Sequence, residues 1–172
     1  FLAAQGLRAP SEAKLVEMLK QFTAGGSRTL VEHDGRALRV YRGRMKVAPA
    51  RKPAPFASLD WRGETRLAIP SLEGEMRFRR THGKGISLAR IDGRKLSVRL
   101  RGTGERLRPD ARRPRRTLKN LFQEAGVPAW ERERLPMLFC GNELVWVPGV
   151  DAAWQAAGSA RGILPEWCPA SA

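Results

Sequence analysis

The residues best suited to chemistry in this chain are arginines, and the chemistry is ionic. Between Arg94 and Lys119 stand nine arginines, two lysines and only two acids, Glu105 and Asp110. The middle of the run reads RGTGERLRPDARRPRRTLKN. A guanidinium resists deprotonation and forks onto phosphate oxygens, so dense arginine broken by Gly and Pro suits a polyanion surface. Arg101, Arg106, Arg108, Arg112, Arg113, Arg115, Arg116 and Lys119 are the candidate phosphate contacts. Each contact should steepen the log–log salt dependence of binding by about one unit. The competing reading is a disordered loop whose arginines only keep the protein soluble.

Other reactive groupings lack the required spacing. His33 and His82 are far apart, and neither Cys140 nor Cys168 stands in a CxxC cluster, so no metal set forms from the sequence. A Cys–His nucleophile has no support either. RGTGERLR contains GxG but lacks the third glycine, and no GxxxxGK[ST] occurs. Glu131 and Glu133 alternate with Arg132 and Arg134, the pattern of a solvated face rather than of a carboxylate pair. Trp61, Trp130, Trp146 and Phe139 could stack on bases, though Trp130 and Trp146 sit in apolar patterns that favour the core.

The whole chain is cationic. Its 172 residues carry a net charge of +15, with hydrophobic content of 42% and charged content of 28%. The composition is globular, and an imbalance this large points outside the chain, first to nucleic acid and second to an anionic membrane. Residues 1–55 hold 11 basic and 4 acidic groups, a net of +7, and residues 56–172 hold 21 and 13, a net of +8. Both parts could therefore face one extended anion. Two cysteines make no disulfide framework and favour a reducing, cytoplasmic setting. No apolar run reaches the roughly 18 residues of a membrane span, and no signal peptide is visible. The chain opens on Phe1 rather than Met, which reads as a fragment or a trimmed N-terminus.

The elements that must position these arginines follow from the pattern. Ser11 can cap a helix over 11–24, with Leu15, Met18, Leu19 and Phe22 as one apolar stripe and Gly25-Gly26 after it. TLVEH, the turn pair Asp34-Gly35 and RALRVYRG read as a hairpin, and Arg44 to Val47 as a further strand. Residues 51–55 read as a linker. Strand-sized pieces follow at 56–61, 65–69, 75–80, 86–91 and 95–101, divided by glycine turns. In LSVRLR, Leu96, Val98 and Leu100 alternate with Ser97, Arg99 and Arg101. After the arginines, Thr117 can cap a short helix burying Leu118, Leu121, Phe122 and Ala125. A second helix spans 129–134, and MLFC and ELVWV form a hairpin around Gly141-Asn142. The tail from Asp151 shows little periodicity. The expected fold is α+β. A small helix-plus-hairpin substrate-binding module occupies 1–50, and a mainly antiparallel β domain with two short helices, the nucleic-acid-binding part, occupies 56–172.

From Thr117 to Gly149 the chain reads TLKNLFQEAGVPAWERERLPMLFCGNELVWVPG. This resembles the C-terminal signature of the tRNA(Ile)-lysidine synthetases, in which a LKxLFQEAxVPxWxRxRLP helix pair precedes an apolar hairpin ending in VPG. Upstream, FLAAQGLRAPSEAKLVEML and LRVYRGRMKV resemble the small helical domain that follows the catalytic part of that family. The family's members are ATP-dependent ligases that adenylylate the wobble cytidine of the CAU-anticodon isoleucine tRNA and then let lysine displace AMP. Their SGGxDS phosphate loop occurs nowhere here. The resemblance thus implies a tRNA-gripping C-terminal part, with ATP, magnesium and lysine bound by a catalytic N-terminal domain in cis. It also places Lys119 on the first lysine of the family's LKK, with Asn120 replacing the second. Arg132 and Arg134 fall on the WxRxR arginines, and the resemblance makes them candidate tRNA-binding residues beside those of the arginine run. Ala129 stands where the family usually has a second proline before the Trp. Two other classes compete with this reading. One is a stand-alone basic nucleic-acid-binding module without a catalytic parent, and the other is a protein-interaction domain with an acidic partner.

Overall fold

Two turns with left-handed backbone shape the first part of the chain. Asp34 and Gly35 have φ of 49° and 73°, and Arg42 and Gly43 have φ of 50° and 71°. Paired positive φ angles belong to the tight hairpin turns whose twist matches the flanking strands. They join β1 (Leu30–His33), β2 (Arg36–Tyr41) and β3 (Arg44–Pro49) into a three-stranded antiparallel sheet in that order. β2 therefore ends at Tyr41, and the Arg42-Gly43 pair read as strand from the sequence is a turn. The computed structural model describes residues 1–25, 29–50, 56–102, 104–108, 114–150 and 158–170. The described residues divide into two compact units, 1–52 and 53–171. The expected linker at 51–55 lies outside the described residues.

In the first unit, helix α1 (Glu12–Gly25) packs on the sheet. The Ser11 hydroxyl accepts the Lys14 backbone N–H at 3.4 Å, a long N-terminal cap. Met18 of α1 is buried against Leu7, Val31 and Leu38, with Phe22 packed at the margin. The apolar stripe expected on α1 is only partly used, because Leu15 and Leu19 are 43% and 52% exposed. A sheet of three strands is narrow, and it seats the line of the helix centred on Met18. His33 hydrogen-bonds through Nε2 to the Arg8 carbonyl at 2.8 Å, and the Arg8 N–H donates to Asp34 at 2.9 Å. His33 thus ties the entry segment to the first turn.

The second unit is built on two four-stranded antiparallel sheets. One has the order β12 (Glu143–Trp146), β11 (Met137–Cys140), β8 (Leu96–Arg99), β4 (Leu59–Trp61). The other has the order β5 (Arg66–Ile69), β6 (Gly74–His82), β13 (Arg161–Pro169), β7 (Ile86–Ser87). Met76, Phe78, Ile86 and Ile163 of the second sheet meet Leu96, Val98, Leu138 and Val145 of the first in one core. A second core lies on the other face of β11 and β12. There Met137, Phe139 and Leu144 are covered by Leu118, Leu121 and Phe122 of helix α3 (Leu118–Glu124). β11 is buried at every position because both its faces are covered. That is why its sequence is a continuous apolar run rather than an alternating one. Helix α4 (Ala129–Arg132) follows, between the buried Pro128 and Pro136. The architecture is the α+β, mainly antiparallel one that the sequence implied.

Three local readings change. Residues 86–91 are not one strand, since β7 is two residues long and helix α2 (Leu88–Ile91) continues from it. Ala125 is exposed just past the end of α3, where the helix has already given way to a turn. The tail holds β13, nine residues long and paired with β6 over its whole length. Two prolines disguise it. Pro165 is tolerated because β7 pairs only Gly162 and Ile163, so beyond them that edge of β13 has no ladder partner to lose.

Candidate nucleic-acid interface

The two ends of the arginine segment are anchored to the unit. β9 (Arg106–Leu107) pairs antiparallel with β10 (Arg116–Thr117), setting Leu107 opposite Arg116 and Arg106 opposite Thr117. Leu107 is fully buried in the core beneath α3 and holds the loop to the unit. Arg106 and Arg108, on either side of it, are left exposed by the alternation of a strand. The Glu105 carboxylate accepts the Gly102 N–H, and the Glu105 carbonyl accepts the Leu118 N–H at 3.3 Å. The base of the loop is thereby hydrogen-bonded to the start of α3. The Thr117 hydroxyl caps α3 by accepting the Asn120 N–H at 3.5 Å.

This geometry sorts the candidate cations. Arg101, Arg106, Arg108 and Lys119 are exposed, and none of them ion-pairs with an acid among the described residues. Arg115 reaches Glu143 at 3.3 Å. Arg116 forks onto both oxygens of Glu124, with the Nη1 contact at 2.7 Å, and the pairing raises its already high pKa. Solvent-exposed pairs of this kind are worth about 1 kcal/mol at most, so a phosphate can compete for Arg115. Arg132 serves the fold: its Nε donates to the Val127 carbonyl at 2.8 Å and its guanidinium lies 5.7 Å from the Phe122 ring centre. Arg134 is half-buried. Arg112 and Arg113 lie outside the described residues.

Arg99, inside the same run, is also structural. It donates to the Ser97 hydroxyl at 3.0 Å and the Gly141 carbonyl at 2.9 Å, and covers the Phe139 ring at 4.9 Å. Phe139 and Trp146 are core residues, 6% and 7% exposed. The Trp61 indole N–H donates to the Glu64 carbonyl at 2.8 Å while its ring packs 5.0 Å from Phe78. Cys140 is buried, and desolvation pushes its thiol pKa up, away from thiolate reactivity. Among the described residues no three of His, Cys, Asp and Glu converge as metal ligands, and no helix is long and apolar enough to cross a membrane.

A second basic surface was not among the sequence candidates. It lies on β6, whose MRFRRTH segment sends Met76 and Phe78 into the core while Arg77 and Arg79 face outward. Arginine at alternate positions of a strand was the signal that could have found it.

Residues 96–167, which contain the loop, α3, β11, β12 and most of β13, match the family described as "TilS substrate C-terminal domain". The chain is 39% identical to a tRNA(Ile)-lysidine synthase of Nitrosomonas europaea, over 98% of this chain and 38% of that protein. It is 37% identical to one of Aromatoleum aromaticum, over 94% of this chain and 38% of that protein. The chain thus spans less than half the length of these curated relatives. A solved structure titled "Crystal structure of TILS C-terminal domain" superposes with a TM-score of 0.52 at 23% identity. It covers 67% of this chain and all of that one, a likeness of fold.

Proposed function

We propose, on the premise that the chain belongs to the C-terminal region of the tRNA(Ile)-lysidine synthase family, that it holds tRNA for a ligase. The observation that carries this reading is the set of exposed cations Arg101, Arg106, Arg108 and Lys119, which have no ion-pair partner among the described residues and fall inside the family-matched residues. A-form RNA offers phosphates and 2′-hydroxyls more readily than major-groove base edges. Guanidinium groups on a loop anchored by Leu107 would therefore read the shape of the folded RNA, and Arg115 would join them by exchanging Glu143 for phosphate.

The parent reaction under this proposal has two steps. ATP adenylylates the wobble cytidine of the CAU-anticodon isoleucine tRNA and pyrophosphate leaves. The lysine ε-amine then attacks the activated ring carbon, AMP departs with the electron pair of its C–O bond, and a C–N bond remains. ATP with its magnesium, and lysine, are assigned to a catalytic N-terminal domain joined in cis, in the cytoplasm. The residues described here supply grip rather than turnover.

Filter binding of the 172-residue chain to tRNA, single-stranded RNA and duplex DNA, each at two salt concentrations, tests the reading. Preferential binding of tRNA that weakens with salt is expected. Equal affinity for all three would favour a general nucleic-acid module, and no binding to any would favour a protein partner.

A further inference from the structure

β6 outruns its neighbour. Its ladder with β5 ends where Arg66 faces Arg77, and the last bond across is the Phe78 N–H to the Thr65 carbonyl at 2.8 Å. In an antiparallel ladder, backbone groups on alternate residues point to the same side. The Arg80 N–H therefore points to the same edge as that of Phe78, where β5 has already ended. A cleft of about 940 Å³ opens there, with Leu164 and Pro165 of β13 in its lining. Four arginines, Arg66, Arg77, Arg79 and Arg80, line it against one acid in the lining, Glu166, and Glu75 is bonded to two of them, leaving an excess of two positive charges.

The four arginines are not equivalent. The Glu75 carboxylate accepts from Arg77 at 2.7 Å and from Arg66 at 2.9 Å, fixing both at the rim. The Arg77 and Arg66 hydrogen bonds hold its carboxyl below the usual carboxylate range, so the pairing persists in mild acid. Arg79 and Arg80 are exposed and have no such acid among the described residues. Strand alternation sets Arg79 on the outer face with Arg77 and Arg80 on the opposite one, so their exposed guanidinium groups flank the edge toward which the Arg80 N–H points, and both line the cleft. That arrangement matches the spread donors needed by consecutive phosphodiesters and offers little to a base edge.

The geometry points to this cleft as a second RNA-backbone site, with Arg79, Arg80 and the Arg80 N–H as phosphate donors and Arg66 and Arg77 as a fixed cationic rim. The inference rests on the tRNA-holding reading and adds a surface separate from the arginine loop.

The test measures tRNA affinity of the 172-residue chain against KCl concentration, for the wild type, R79Q/R80Q, R79K/R80K and the loop variant R101Q/R106Q/R108Q. Losing two phosphate contacts should flatten the log–log slope of R79Q/R80Q by roughly 1.5 to 2 and weaken binding about tenfold in moderate salt. R79K/R80K, which keeps both charges, should retain most of the slope. The single variants R79Q and R80Q should each give about half the effect with an unchanged thermal melt, which separates lost contact from lost fold. A wild-type slope in R79Q/R80Q beside a flattened slope in the loop variant would overturn the cleft and leave the tRNA reading standing. Absence of salt-dependent tRNA binding by the wild type would sink both.

Discussion

Phe122→Ala should cost the second unit about 4 kcal/mol. Phe122 is fully buried and belongs to the core formed where α3 covers β11 and β12. Truncating a buried Phe costs roughly 3–5 kcal/mol through lost transfer energy and the cavity left behind. The Arg132 guanidinium 5.7 Å from the ring centre adds a cation–π contact worth about 0.5 kcal/mol at a partly exposed site. All five tryptophans, Trp61, Trp130, Trp146, Trp154 and Trp167, fall within residues 53–171. Tryptophan fluorescence in a urea titration therefore reports that unit without the first. With a slope of about 2 kcal/mol per molar urea, the midpoint should fall by about 2 M. Leu19→Ala in α1 is the control. Leu19 is 52% exposed and belongs to the other unit, so the fluorescence midpoint should not move. A Phe122→Ala midpoint shift below about 0.5 M would refute the packing described for α3, as would an equal shift from Leu19→Ala.

Three further outcomes follow from particular contacts. Thr117→Ala removes the cap of α3 and should lower stability by about 1 kcal/mol, with Thr117→Ser near wild type in the same titration. Gly85 has φ of +72°, and a Cβ there would stand 2.1 Å from the Ile163 carbonyl oxygen. Gly85→Ala should therefore cost about 3 kcal/mol or more in urea unfolding, whereas Gly35→Ala, with φ of +73° and open space, should cost only about 1 kcal/mol. Glu75 has a lowered folded-state pKa, so its contribution is present above the ordinary glutamate value near 4.5 and is lost as pH falls through the folded value. Glu75→Gln should flatten the acid side of the stability–pH curve of the second unit and leave its neutral side nearly parallel to wild type.

The sequence was most legible where one local rule had no competitor. The Asp34-Gly35 turn, the Thr117 cap and the run MLFC each have a single physical reading, and the structure places a hairpin, a helix start and a doubly covered strand there. It was least legible where tertiary pairing overrode local signals. β13 carries Pro165 and Pro169, which argue against a strand unless one knows which edge lacks a neighbour. Leu15 and Leu19 sit at core spacing, yet the narrow three-stranded sheet leaves them exposed. Among the arginines, composition could not separate Arg99 and Arg132, which hydrogen-bond backbone carbonyls, from Arg101, Arg106 and Arg108, which face solvent. That distinction depends on partners up to 42 residues away, as for Arg99 and Gly141.

Hydroxyl-radical footprinting of the CAU-anticodon isoleucine tRNA transcript with the 172-residue chain tests the central claim most directly. Backbone cleavage should be suppressed along a continuous tract of helical stem outside the anticodon loop, and R101Q/R106Q/R108Q should restore cleavage across part of it. Even cleavage at saturating protein, or protection confined to the anticodon loop, would contradict it.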